Sequence, residues 1–161
     1  DVNFWGTVYC TKYALPYLLK SKGSVVGVSS VAGFIGLPGR TGYSASKFAM
    51  HGFLETLRTE HMKDGLHVLI LCAGYTKSNI RYRALLSDGT PQGTTPREEE
   101  KMMMPEDVAK IIVKCVKKRV DFKILSTEGK LSYFLKIFFP RLIQKAALKN
   151  IEKEGELPGT K

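Results

Sequence analysis

The sequence predicts an α/β layer fold with a parallel sheet at its centre. Two observations lead there. "SVVGVSS" and "LHVLILCAG" are short, apolar and rich in β-branched and aliphatic residues, as strands covered on both faces should be. These segments, with "DFKILS" as a third strand, alternate with longer stretches in helical rhythm, the pattern of strands joined in parallel through helices. At 161 residues and 43% apolar composition, the chain is long enough for one domain with a real core.

Each element has its own warrant. Residues 1–20 read as a helix in which Val2, Trp5, Cys10, Ala14 and Leu18 recur at helical spacing, ended by "KSKGS" with a turn at Gly23. "SVVGVSS" follows as the first strand. "VAGFIGLPGRTG" holds four glycines and a proline and reads as a loop. Residues 43–63 form a second long helix, with Phe48, Phe53, Leu54 and Leu57 on one side. "LHVLILCAG" is the next strand, ended by Gly74. Residues 75–104 are irregular and turn-rich, and a loop of that length is either a lid over a site or disordered. "MPEDVAKIIVKCVKK" is a helix with proline at its start and acids in its first turn, where they complement the helix dipole. Residues 131–161 hold an amphipathic helix interrupted at Pro140 and a frayed tail. Three strands leave two poorly covered sheet edges, and "SVVGVSS" is apolar enough to want a neighbour on both sides. The expectation is that earlier strands of the sheet lie outside this chain.

The net charge of +10 admits an anionic partner, or lysines that simply solvate helix faces, as in "KIIVKCVKKR". The basic residues are not interleaved with aromatics as in a nucleic-acid module, so no nucleic-acid partner is expected. No stretch reaches the roughly 18 uninterrupted apolar residues of a membrane span. Cys10, Cys72 and Cys115 are odd in number, far apart and without metal-ligand spacing. They read as reduced core thiols, which implies a reducing, cytoplasmic compartment and no metal.

Candidate chemistry lies in "TGYSASKFAMHG". Tyr43 and Lys47 are four apart at a helix start, so their side chains share a face. A free tyrosine, with a pKa near 10, is a poor base at neutral pH. A nearby ammonium favours the phenolate, and a tyrosine so tuned can pass a proton to or from a substrate oxygen. Ser30 ends the strand "SVVGVSS", and open α/β sheets bind ligands at the carboxyl ends of their strands. A hydroxyl there can donate to a substrate oxygen. The alternatives are a turn-capping serine at position 30 and a packing aromatic at a loop–helix junction for Tyr43.

"VSSVAG", then "YSASK", then "LCAG" after the next strand resembles the short-chain dehydrogenase/reductase family, in particular its hydroxysteroid dehydrogenases and carbonyl reductases. The likeness is specific over residues 1–80 and looser through "MPEDVA" to "DFKILS". It implies a Rossmann-like, doubly wound parallel sheet and an NAD- or NADP-dependent oxidoreductase that interconverts a carbonyl and a secondary alcohol. Residue by residue, it implies Tyr43 as acid–base and Lys47 as the cation that tunes Tyr43 and holds the nicotinamide ribose. Ser30 would polarise the substrate oxygen, and Asn3, on the first helix, would support a proton-relay water. "AGYTKS" resembles the segment that contacts the nicotinamide amide, through Ala73, Gly74, Thr76 and Ser78. Ala73 stands where the family usually has proline, and Ser78 where a threonine is usual.

The family's glycine-rich dinucleotide turn has no counterpart here. "GFIGLPG" leads into the tyrosine helix and lacks the spacing. Residues 1–161 are therefore expected to be a single partial dinucleotide-binding and catalytic domain, the C-terminal portion of the fold without its βαβαβ N-terminal half, and inactive alone. Residues 75–104 would form the substrate lid. Ile80, Tyr82, Leu85 and Leu86 of the lid, with Phe34, Ile35 and Leu37 of the loop, suggest an apolar substrate such as a lipid, sterol or xenobiotic, or else ordinary packing. The family pairs the helices corresponding to residues 1–20 and 43–63 across a dimer axis, so a homo-oligomer through Trp5, Tyr9 and Phe53 is expected, unless these residues bury against the chain's own sheet. Two rival readings stand beside the enzyme: a non-catalytic binding protein that kept the fold, and a peripheral membrane protein touching the bilayer surface through residues 131–150.

Overall fold

Three parallel strands form the sheet: β1 (Ser24–Ser30), β2 (His67–Ala73) and β3 (Phe122–Ile124), in the order β1-β2-β3. β1 runs in register with β2 from Ser24 opposite His67 to Ser30 opposite Ala73, and β3 pairs Phe122–Ile124 with Ile70–Cys72. The computed structural model describes residues 1–85, 88–93, 100 and 102–154. Its helices are α1 (Trp5–Ser21), α2 (Thr41–Glu60), α3 (Ile80–Arg83), α4 (Pro105–Lys117), α5 (Thr127–Phe138) and α6 (Pro140–Glu154).

Successive side chains of a strand leave opposite faces, and β2 buries both. Val68, Ile70 and Cys72 meet Met50, Leu54 and Leu57 of α2 on one face, with Leu15, Leu18 and Leu19 of α1 alongside. Leu69 and Leu71 meet Val108 and Cys115 of α4 on the other. This two-sided burial explains why the run from Val68 to Cys72 is continuously apolar rather than alternating. Each such aliphatic side chain contributes about 1.5–3 kcal/mol when fully buried. Gly27 keeps β1 close to α2, because a Cβ there would run into Leu54.

Several elements differ from their sequence expectation. α1 begins at Trp5, so Asn3 lies in the turn before it and not on the helix. The core stripe of α1 is Thr11, Leu15, Leu18 and Leu19, while Trp5, Tyr9, Tyr13 and Tyr17 face outward. Aromatics every fourth residue mimic an apolar core stripe, whereas threonine hides one. Cys10 sits on the exposed side, so it is not a core thiol, whereas Cys72 and Cys115 are buried. On α2 the buried face is Ser44, Lys47, Met50, His51, Leu54 and Leu57. Phe48 is exposed and Phe53 is half-buried at the edge of the core.

Residues 75–104, expected to be irregular, hold regular structure among the described residues. This comprises α3 and two isolated bridges, Thr76 with Met103 and Leu85 with Pro91. Leu86 and the rest of 86–87, 94–99 and 101 lie outside the described residues, as does the tail from 155. The C-terminal amphipathic segment is two helices, divided at Pro140 as its ring requires. It starts four residues early, at Thr127, because the Ser126 hydroxyl accepts from the Gly129 N–H and caps the helix. Among the described residues no helix is long and apolar enough to cross a membrane.

Candidate active site

Ser30 is the last residue of β1. Its Oγ accepts from the Ala32 N–H at 3.2 Å and caps the 3-10 turn Val31–Gly33. The capping role uses the oxygen as acceptor, and the hydroxyl proton can still be donated. The loop beyond is fastened to α2 by two bonds. Leu37 N–H donates to Ser44 Oγ at 3.2 Å, and Ser44 N–H donates to Arg40 O at 2.8 Å.

Tyr43 projects from the first turn of α2 and is 40% exposed. Lys47 follows one turn later, with Nζ 5.8 Å from the Tyr43 ring centroid. Lys47 Nζ donates to Val28 O at 3.0 Å. That carbonyl has a definite direction. His67 N–H donates to Gly23 O across the β1–β2 pair, and alternate residues of a parallel strand face the same neighbour. Val28 therefore aims its C=O at the edge of β1 that has no strand beside it among the described residues. Lys47 satisfies this edge carbonyl and ties α2 to β1 two residues before Ser30. Lys47, with Tyr43 one turn before it, thus sits against the last residues of β1, which ends at Ser30.

The Lys47 side chain is buried, and burial holds its pKa below the ordinary 10.5, opposed by Cys72. The opposition vanishes at neutral pH, because burial pushes the Cys72 thiol up to about 12 and leaves it uncharged. One Lys47 donor is engaged by Val28, which leaves two for a ligand or water.

His51 lies one turn beyond Lys47 on the same buried face, and sequence reasoning passed over it. Its Nε2 shares a 2.7 Å hydrogen bond with Ser29 Oγ, and Cys72 Sγ lies 3.8 Å from the same nitrogen. Phe34 and Phe122 flank the ring. Burial holds the His51 pKa below 6.5, opposed by Glu55 and reinforced by Lys47 and Lys136. Its place four residues after Lys47 puts it on the same helix face, but that spacing alone carries no signal of a partner. Gly33 completes this cluster, because a Cβ there would collide with His51 Nε2 and Ser29 Oγ.

Asn3 reaches α2 from its turn. Its Nδ2 donates to Ser46 Oγ at 3.2 Å, and Ser46 Oγ donates to Tyr43 O at 2.7 Å. Ala73 sits directly opposite Ser30 in the strand register. The close neighbour of Gly74 is Ser126, whose Cβ would be 3.1 Å from a Cβ added there. Met103 binds the residues on either side of Thr76, through Lys77 N–H to Met103 O and Met103 N–H to Tyr75 O. The backbone N–H and C=O of Thr76 itself face the other way. Ser78 Oγ accepts from Ile80 N–H at 3.4 Å at the start of α3. Phe34 and Ile35 belong to the main core and Leu37 packs against it, so these loop residues support the site rather than line it.

Known proteins share this fold. The sequence profile described as short chain dehydrogenase matches residues 1–86. The chain belongs to the short-chain dehydrogenase family. Dehydrogenase/reductase SDR family protein 7-like from Drosophila melanogaster is 33% identical over 162 residues, covering 96% of this chain and 50% of that protein. A short chain dehydrogenase from Burkholderia cenocepacia in complex with NADP superposes with a TM-score of 0.73 at 16% identity, covering 91% of this chain and 56% of that one. 4-Hydroxyisoleucine dehydrogenase complexed with NADH and succinate gives 0.59 at 19% identity, covering 78% and 55%. The fold is Rossmann-like α/β, and the chain spans about half the length of the curated relatives it matches.

Proposed function

We propose that these residues form the catalytic portion of an NAD- or NADP-dependent oxidoreductase that interconverts an apolar carbonyl compound and its secondary alcohol. The observation that supports this reading is Lys47, beside the Tyr43 ring and bonded to Val28 O two residues before the strand end Ser30. In the reducing direction the Tyr43 hydroxyl gives its proton to the substrate oxygen, and in the oxidising direction the phenolate takes it back. The Lys47 ammonium stabilises the phenolate. Ser30 donates a hydrogen bond to the same substrate oxygen and holds it toward Tyr43. Asn3, anchored on Ser46, supports the water that returns the proton to solvent.

A nicotinamide nucleotide supplies or accepts the hydride when bound. The donors fit its polar groups. Lys47 has two N–H groups left for ribose hydroxyls beside Tyr43, and the Thr76 backbone faces away from Met103. Ala73, Gly74 and Ser78 would complete the amide-binding segment. The NADP and NADH in the solved neighbours support this choice. Ile80, Tyr82 and Leu85 leave apolar surface exposed on the lid, which supports an apolar substrate. The outward stripe of Trp5, Tyr9, Tyr13 and Tyr17 supports pairing of two copies through α1 and α2.

Activity is assigned to a chain longer than residues 1–161, because this one spans half its relatives and holds no glycine-rich dinucleotide turn. The test titrates NADPH and NADH into the protein expressed with whatever coding sequence precedes Asp1. Cofactor oxidation is then followed over a small panel of apolar ketones and aldehydes, beside residues 1–161 alone. Oxidation by the longer protein and none by the shorter is expected. If the longer protein binds neither nucleotide, the reading fails.

A further inference from the structure

The outer surface of α5 and α6 carries an apolar stripe that the core does not use. Leu131, Phe134 and Phe138 recur at helical spacing on α5, and Ile137, Phe139 and Leu142 flank them around the Pro140 break. Phe134 is 61% and Ile137 66% exposed, and the Phe134 and Phe138 rings lie 5.3 Å apart. The core is supplied from elsewhere on these helices, by Leu135 and Ile143. A surface helix needs one apolar stripe, and this pair carries a second one facing out.

Cations dominate beside the stripe, with acidic residues, Glu128 and Glu152 among them, only at the outer ends of the two helices. Lys130, Lys136, Arg141, Lys145 and Lys149 share the two helices with it, and residues 130–150 contain no Asp or Glu. A second copy docking on this face about a twofold axis would bring like charges together. An anionic lipid surface answers both features, since phenyl and aliphatic side chains enter the acyl boundary while ammonium and guanidinium groups meet the phosphates. We propose that α5 and α6 form an interfacial surface that binds anionic lipid bilayers through Phe134, Phe138 and the lysines and arginine of these helices.

The surface adjoins the site end of the sheet. A Cβ on Gly129 would lie 3.0 Å from Val31 Cγ2 in the turn after Ser30. Tyr133 packs edge-on to Phe34 with centroids 5.0 Å apart, and Lys136 Nζ lies 5.1 Å from the Phe48 ring centroid of α2. Lipid contact would thus hold the carboxyl end of β1 beside the bilayer, where apolar carbonyl compounds concentrate. This last link rests on the oxidoreductase reading, and the lipid contact does not.

Vesicle flotation tests the proposal, because a self-aggregated chain stays at the bottom of the gradient. Residues 1–161 are mixed with vesicles of phosphatidylcholine alone or with phosphatidylserine added. The chain should float several-fold more with the anionic vesicles, and added salt should reduce this. Lys145→Glu together with Lys149→Glu should weaken partitioning by at least about fivefold per cation removed. Phe134→Glu with Phe138→Glu should abolish flotation, and both positions are exposed, so circular dichroism should be unchanged. Equal flotation with neutral vesicles, or flotation untouched by the phenylalanine changes, would overturn the proposal. So would a wild-type chain that ignores both vesicles while those same changes turn a dimer into a monomer in ultracentrifugation, which would assign the face to a second copy. No readout depends on turnover.

Discussion

His51 shows how a buried titratable group ties a helix to the strand beside it. It joins α2 to Ser29 and so fixes the strand one residue before Ser30. Its pKa in the folded chain lies below 6.5, so between the two values the unfolded chain holds more protons. Stability therefore rises with pH through that window and is lost as pH falls below 6.5. His51→Gln keeps a polar contact for Ser29 and cannot titrate. Thermal melts at about pH 7.5 and about pH 5.5 should show the wild type losing more stability than the variant over this interval. Equal losses would remove His51 from the account. The thiols offer a second check. Cys10 is exposed, Cys115 is buried, and the Cys72 thiol is pushed up to about 12. Iodoacetamide at neutral pH should alkylate Cys10 quickly in the folded chain, and Cys72 and Cys115 only after denaturation. Rapid labelling of all three would contradict the burial. The placement of Ser30 at a strand end and of Tyr43 and Lys47 at a helix start was legible from sequence, while the roles proposed for them come from the family resemblance. His51 was not legible, because a lone histidine four residues past a lysine carries no pattern until the strand beside it is placed.

At the scale of elements, the strands were the most legible and the helix faces the least. "VVGV" in β1 and "VLILCA" in β2 are apolar without interruption, so their assignment needs no choice of face. α1 and α2 demand that choice, and hydrophobicity misleads in both. The outward tyrosines of α1 look like core, and the buried face of α2 carries serine, lysine and histidine. Polar residues on a buried helix face need partners, and here Ser44, Lys47 and His51 find them in Leu37 N–H, Val28 O and Ser29 Oγ. The partner of that face is the 3-10 turn, and Gly33 is where the two meet. Gly33→Ala should destabilise the chain by about 1–3 kcal/mol in urea melts, through collision with His51 and Ser29. In a His51→Ala background the same change should cost measurably less, because the collision partner is gone. Identical costs in both backgrounds would place the strain elsewhere.

At the scale of the whole molecule, three features point the same way. β1 has no strand on its outer edge among the described residues, Val28 is 51% exposed there, and the chain spans about half of its relatives. The open edge of β1 was legible, because an apolar strand with few strands in the chain to pair with is left with one side uncovered. What could not be read was which polar group would serve that edge meanwhile, and Lys47 does so through Val28 O. The same lysine thus joins sheet architecture to the chemistry assigned to Tyr43. The most direct measurement of that chemistry compares wild type with Tyr43→Phe in the protein carrying the coding sequence ahead of Asp1, using NADPH or NADH and an apolar ketone. The account predicts that kcat falls by about 10²–10⁴ while nucleotide affinity is unchanged. A Tyr43→Phe enzyme turning over at the wild-type rate would contradict it.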